Sequence, residues 1–246
     1  MTTRELGRNE VRDRLRAGRW FAELSPRFAE ALLELGTVMR VSARQQLFFR
    51  GQSLDAVYAV LEGRLRACAI DEEGREALLT VVEAPNWVGE IPLFDGLPRT
   101  HDLIADVESL LFRLPADRLL EWLASNPAHW RELAVLLTHK LRLAFTAMED
   151  GAVASLAARL ARRLVWLADG YAQSSHGSRR TVAVSQAGLA EMLSTSRQSI
   201  NRELRRLESE GLVVIGYSGL EVLDLERLRA FGRDGRREIA MRRSGN

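Results

Sequence analysis

A chain of 246 residues, 46% hydrophobic and 28% charged, is long enough for about two domains with packed cores. Its single cysteine, Cys68, excludes an internal disulfide and a four-cysteine metal site. No apolar run approaches the ~18 residues of a membrane span, and the polar N-terminus has no apolar signal-peptide stretch. A cytoplasmic protein without a membrane partner is therefore expected. The net charge of +2 hides an asymmetry: residues 1–150 carry 19 Lys or Arg against 23 Asp or Glu, residues 151–246 carry 16 against 10. A basic C-terminal part suits a polyanion such as DNA. Arginine is abundant throughout, however, and Lys140 is the only lysine, so its abundance alone carries no weight.

Residues 1–19 read as a polar, Arg-rich extension, a frayed helix or a tail. Ser25-Pro26 predicts a helix start, Ser as N-cap and Pro at N1. Its apolar positions Phe28, Leu32, Leu33 and Leu35 end at Gly36. From Val38 to Leu114 short apolar runs alternate with turn signals at Gly51, Gly63, Gly74, Gly89 and Gly96. The runs Gln46–Phe49, Ala56–Leu61, Leu65–Ile70, Ala77–Val82 and Ser109–Leu114 predict strands of a barrel or roll, with Asp71-Glu72-Glu73-Gly74 as a hairpin turn. Helices resume at Pro115-Ala116-Asp117, with Leu119, Leu120 and Leu123.

A long helix is predicted from about Pro127 to Asp150, carrying Trp130, Leu133, Leu136, Leu137, Leu141, Ala144, Phe145 and Met148. Apolar helices of this length pair in dimers. Gly151 is a candidate hinge, Ser155–Ala172 a further helix, and Asp169–Arg180 a polar loop. The stretch Ser185–Val213 then predicts two short helices around a tight turn, with Ser185 and Ser196 as N-caps and Gly211 as the stop. Leu189, Ala190 and Leu193 would face inward, as would Ile200, Leu204 and Leu207 at helical spacing. The opposite face carries Arg197, Gln198, Asn201, Arg202 and Arg205. Arginine pairs with guanine O6/N7, and Asn or Gln with adenine N6/N7, so this face suits the DNA major groove. Runs at Leu212–Ile215 and Leu220–Leu223 flank Gly216-Tyr217-Ser218-Gly219 and predict a wing hairpin. No Ser-His-Asp, HExxH or phosphate-loop signature is present, and no catalytic residue is expected.

Four segments carry a family resemblance: LFFRGQSLDAVYAVLEGRLRA at 47–67, IDEEGREALL at 70–79, VGEIPLFDGLPRT at 88–100 and STSRQSINRELRRLE at 194–208. In order and spacing the chain resembles the catabolite activator / fumarate-nitrate regulator superfamily of bacterial transcription factors. The resemblance implies an α+β fold: an N-terminal double-stranded β-roll of the cyclic-nucleotide-binding type, a long dimerisation helix and a C-terminal winged helix-turn-helix. It divides the chain into an extension (1–19), a sensor domain (20–126), a dimerisation helix and hinge (127–151) and a DNA-binding domain (152–246). The implied function is a homodimeric transcription regulator that binds double-stranded DNA at a palindromic operator and contacts RNA polymerase.

By resemblance the base-reading residues are Arg197, Gln198 and Arg202, with Ser199 and Asn201 beside them. Gln198 stands where cyclic-AMP-responding members have Glu, which implies a different base preference. The effector residues implied are Gly89, Glu90, Arg99 and Thr100, with Lys140 reaching towards the pocket. An arginine and a hydroxyl suit a cyclic phosphate, and a carboxylate can accept a ribose hydroxyl. The two long-helix positions that contact adenine in such members are here Ala144 and Phe145, which cannot make the same hydrogen bonds. Pro92 and His101 are further departures, so a cyclic nucleotide is the expected effector class but cyclic AMP is a doubtful one. A regulator without an effector, or one responding to cyclic di-GMP or to haem through His101 or Cys68, is the alternative, and an effector-binding module without DNA function a remote one. One cysteine excludes the four-cysteine iron–sulfur cluster of oxygen-sensing members. Asp71, Glu72 and Glu73 correspond to a surface that some members use against the polymerase sigma subunit.

Overall fold

The computed structural model describes residues 6–70, 73, 76–153, 155–169, 180–182, 184–216 and 219–233. The chain divides into two units, residues 1–139 with 170–174 and residues 140–169 with 175–246. The first opens with three helices, α1 (Arg8–Arg16), α2 (Arg19–Ala22) and α3 (Pro26–Leu35). Strands β1 (Thr37–Val41), β2 (Gln46–Phe48), β3 (Ala56–Glu62), β4 (Arg64–Ile70), β5 (Glu76–Glu83) and β6 (Trp87–Val88) follow. A short helix α4 (Pro92–Asp95) then precedes β7 (Asp102–Ala105), β8 (Ser109–Pro115) and helix α5 (Ala116–Ser125).

The eight strands form two four-stranded antiparallel sheets, ordered β1-β8-β3-β6 and β2-β7-β4-β5. The predicted roll is therefore present. One apolar core, with Phe48, Tyr58, Val60, Leu65, Leu103 and Leu111, draws on strands of both sheets. A second core lies between the first sheet and the helices, with Phe21, Phe28, Leu32, Val57, Trp87, Phe112 and Leu119. β3 serves both: Ala56, Tyr58 and Val60 belong to the first core, Val57, Ala59 and Leu61 to the second. That is why its sequence is continuously apolar instead of alternating.

Two expectations for this unit are corrected. Residues 8–16 are neither a tail nor frayed, because Val11 and Leu15 sit 4% and 0% exposed in the helical core. Two apolar residues four apart are enough to seat a nine-residue helix on that core. Ser25 occupies the N-cap position of α3, with Pro26 at N1, but its side chain makes no capping bond. Its backbone N–H and its hydroxyl both donate to the Glu132 carboxylate, at 2.7 and 3.0 Å. Burial alone would raise the Glu132 pKa. The bonds from Ser25 and His129 outweigh burial and lower it.

A 3₁₀ turn (Pro127–His129) leads into α6 (Trp130–Val153), and the two units divide within this helix, after His139. α6 remains helical through Gly151, the candidate hinge position. Leu133 and Leu136 are buried, whereas Leu141, Phe145 and Met148 are 52%, 56% and 70% exposed.

The second unit continues with α7 (Leu156–Asp169), β9 (Arg180–Val182), α8 (Gln186–Met192), α9 (Arg197–Ser209), β10 (Val213–Ile215) and β11 (Leu220–Val222). Residues 225–233 are helical. β10 and β11 form the expected antiparallel wing, closed by Gly216 N–H donating to Gly219 O at 2.9 Å. The sheet has a third strand that sequence reasoning missed: β9 pairs with β11 at the end of the segment read as a polar loop. Three residues are too few to show a period-2 pattern. The remainder of that loop, residues 170–179, and residues 71, 72, 74 and 75 of the acidic hairpin lie outside the described residues. Among the described residues no helix is long and apolar enough to cross a membrane.

Candidate functional site

The helix-turn-helix is built by local chemistry that the sequence announced. Ser185 Oγ accepts the Gly188 N–H at 3.0 Å at the start of α8, and Ser196 Oγ accepts the Ser199 N–H at 3.1 Å at the start of α9. α9 ends in a Schellman motif: Gly211 N–H donates to Glu208 O, and Leu212 N–H to Leu207 O. Gly211 takes φ +67°, the left-handed region that a glycine tolerates best. The turn between the helices repeats the pattern without a glycine. Ser194 holds φ +49° while its N–H and that of Thr195 donate to Glu191 O and Ala190 O. The serine accepts this conformation because two otherwise orphaned carbonyls are satisfied.

Buried Leu189, Ala190 and Leu193 on one helix and Ile200, Leu204 and Leu207 on the other fix the pair to its core. Arg159 on α7 donates to the turn carbonyl of Leu193 at 2.7 Å. Glu208 accepts the N–H of Ile215, tying α9 to the wing at 2.9 Å. Of the expected base readers, Arg197, Gln198 and Arg202 are exposed, and so is Arg205. Arg202 is 71% exposed and pairs through Nε with half-buried Glu203 at 3.2 Å, which leaves most of its guanidinium open to solvent. Ser199 and Asn201 are engaged within the protein. The Ser199 hydroxyl accepts from Ser196 Oγ at 2.9 Å, and half-buried Asn201 donates through Nδ2 to Gln186 Oε1 at 3.1 Å.

The expected effector residues are arranged differently. Gly89 takes φ +91°, and a Cβ there would stand 2.7 Å from Arg99 Nη1, so only glycine admits the guanidinium beside it. Arg99 is 3% exposed. Its Nη1 donates to Gly89 O at 2.7 Å, its Nη2 to Asp55 Oδ1 at 2.8 Å and to Ala56 O at 2.6 Å, and its plane lies 4.0 Å over the Phe48 ring. Burial alone would raise the Asp55 pKa. Hydrogen bonds from Arg99 and Tyr58 and the Arg99 charge reverse this and lower it. Glu90 is also buried, at 1%. Thr100 is exposed, its hydroxyl 2.8 Å from His101 Nδ1. As arranged, Asp55 and two carbonyls hold both Arg99 Nη atoms, and Nε is the guanidinium nitrogen without a hydrogen-bond partner among the described residues. Sequence reasoning missed Asp55, which lies 44 residues before Arg99, in the 47–67 segment and just ahead of β3.

Lys140 is half-buried on α6, and Ala144 and Phe145 are exposed there. Glu73 is exposed, and Asp71 and Glu72 lie outside the described residues. Cys68 is buried in β4. Burial first, then the nearby Glu76 charge, push its thiol up to about 12, which opposes thiolate ligation of a haem iron. Among the described residues no group of three or more His, Cys, Asp or Glu could hold a metal ion.

Two family models match this chain: a cyclic nucleotide-binding domain over residues 38–126 and a Crp-like helix-turn-helix domain over residues 158–231. The chain is 26% identical over 183 residues to a CRP-like cAMP-activated global transcriptional regulator of Mycobacterium tuberculosis, covering 74% of this chain and 82% of that protein. It is 28% identical over 175 residues to the transcriptional regulator SdrP of Thermus thermophilus, covering 71% and 83%. A solved CRP/FNR-family transcriptional regulator, also from Thermus thermophilus, superposes with a TM-score of 0.62 at 26% identity, covering 81% of this chain and all of that one. The family consists of transcription regulators, not enzymes, and its members bind DNA. Roll, winged helix-turn-helix and both matches together make this chain a CRP-like transcriptional regulator, a member of the CRP/FNR superfamily.

Proposed function

We propose that this protein is a homodimeric, cytoplasmic regulator that reads a palindromic operator with Arg197, Gln198 and Arg202. The observation that carries the reading is the exposure of these three side chains on a helix capped at both ends and buried along its other face. Half-sites should lie about one helical turn apart, ~34 Å. Selection of binding sequences from a random duplex library tests it. A palindrome bound with strongly salt-dependent affinity is expected, and unselective binding would overturn the reading.

Dimerisation rests on α6. Leu137, Leu141, Ala144 and Met148 recur at spacings of four and three, the seam of a coiled coil, with Phe145 beside it. Three large apolar side chains more than half exposed on one helix are costly unless covered. Leu141→Asp should shift the protein to monomer in analytical ultracentrifugation.

The effector is not cyclic AMP in this reading, because neither Ala144 nor Phe145 can recognise adenine's amino group. Calorimetry showing micromolar cyclic AMP binding that also tightens operator binding would overturn this. A second reading is favoured by Arg99 Nε, buried without a hydrogen-bond partner among the described residues. In it, a different anionic nucleotide takes the place of Asp55. The acidic turn Asp71-Glu72-Glu73 is the proposed polymerase contact. Glu72→Lys should then lower transcription with operator affinity unchanged.

A further inference from the structure

We infer that Gln186, on the first helix of the pair, sets the base preference of Asn201 on the second. This rests on the reading of α9 as the groove-facing helix. Asn201 sits among the exposed readers: Gln198 precedes it by one helical turn, and Arg197 and Arg205 lie four residues to either side. An asparagine left free on such a face reads adenine in bidentate fashion, its Nδ2 donating to N7 and its Oδ1 accepting from N6. Here Nδ2 already donates to Gln186 Oε1 at 3.1 Å. That bond uses one of the two Nδ2 hydrogens and fixes the plane of the amide. The second Nδ2 hydrogen and Oδ1 remain as a held donor–acceptor edge, which matches adenine N7 and N6 and mismatches the other three bases.

The bridge is well placed to hold that orientation. Gln186 is the first residue of α8, next to Ser185, whose cap bond fixes the helix start. α8 packs on α9, and Leu189 and Ile200 are buried on the two helices. Both bridging side chains are half-buried, which reduces competition from water for the 3.1 Å bond. Gln186 is thus a positioning residue: it need not touch a base to decide which base Asn201 accepts.

The test uses the full-length protein and its selected operator, varied to each of the four bases at every half-site position. The wild type should prefer adenine at one base pair by roughly fivefold or more, the worth of one bidentate pair. Gln186→Ala should flatten or change the preference at that pair alone, and Asn201→Ala should flatten the same pair. The double variant should be no worse than the worse single one. Gln186→Glu keeps an acceptor for Nδ2 and should retain the preference while weakening all sequences alike through phosphate repulsion. The inference is overturned if Gln186→Ala weakens every sequence equally, if the two single effects add, or if the preferred base is not adenine. Arg197→Ala and Arg202→Ala, run alongside, separate the two failures. If they leave operator affinity intact, α9 is not the reader. If they weaken it while Gln186→Ala leaves every preference unmoved, only the role of Gln186 falls.

Discussion

The two units use arginine in opposite ways. In the roll, Arg99 is consumed by structure: it is 3% exposed, with Asp55, two carbonyls and an aromatic ring around it. In the helix-turn-helix unit, Arg202 is 71% exposed, with the single carboxylate of Glu203 beside its Nε. A buried guanidinium must have its partners inside the protein, since leaving it unpaired costs several kcal/mol. An exposed one is held by nothing strong and is available to a phosphate or a guanine. Equal residues in equally suggestive motifs therefore carry different functional weight, and burial decides between them.

The sharpest way to break this contrast is to remove the partner of the buried arginine. Asp55→Ala strands the Arg99 charge and should destabilise the roll by about 2–3 kcal/mol, less than for a fully buried pair because Asp55 is partly exposed. Urea unfolding followed by the fluorescence of Trp20, Trp87, Trp122 and Trp130 measures it, and a neutral outcome would mean that Arg99 is not a clamp. Arg202→Ala should show the reverse pattern. Stability should stay within about 0.5 kcal/mol, while binding at the cognate base loses about 1–3 kcal/mol in fluorescence anisotropy.

Acid provides a graded version of the first experiment. The folded-state pKa of Asp55 lies below its ordinary 3.8. Its contribution to stability is therefore complete above that value and is lost as pH falls through the lower, folded value. Glu132, also lowered, acts in the same direction below its ordinary 4.5. Melting temperatures of the wild type should fall on acidification below about pH 4, and Asp55→Asn should blunt the decline. The smallest effect belongs to the second unit. Ser194→Gly relieves a left-handed serine in the interhelical turn and should raise stability by up to about 1 kcal/mol in thermal unfolding, with the operator preference unchanged.

The same contrast explains what could be read in advance. The caps Ser185 and Ser196, the stop at Gly211 and the wing turn act within a few residues, so their chemistry is visible in the local text. The exposed face of α9 was legible because Ile200, Leu204 and Leu207 fixed which side was inward. In the roll the decisive partners are far apart in sequence. Asp55 and Arg99 are 44 residues apart, and Ser25 and Glu132 are 107 apart. Local spacing could nominate Arg99 as a ligand but could not reveal that Asp55 holds it. The engagement of Asn201 by Gln186 was hidden for the same reason, a separation of 15 residues being enough to cross the turn.

The double-faced strand β3 has a consequence for folding specificity. In a half-buried strand, slipping by one residue would expose the apolar set, and that penalty fixes the pairing. β3 lacks this safeguard, because both of its faces are apolar and a slip would merely exchange Ala56, Tyr58 and Val60 with Val57, Ala59 and Leu61. Polar pins supply it instead. Tyr58 Oη donates to Asp55 Oδ2 at 2.9 Å, the Asp55 carbonyl accepts from Ala116 N–H at 3.0 Å, and Arg99 bonds both the Asp55 carboxylate and the Ala56 carbonyl. Asp55 thereby acts as the index mark that tells the strand where to stop sliding.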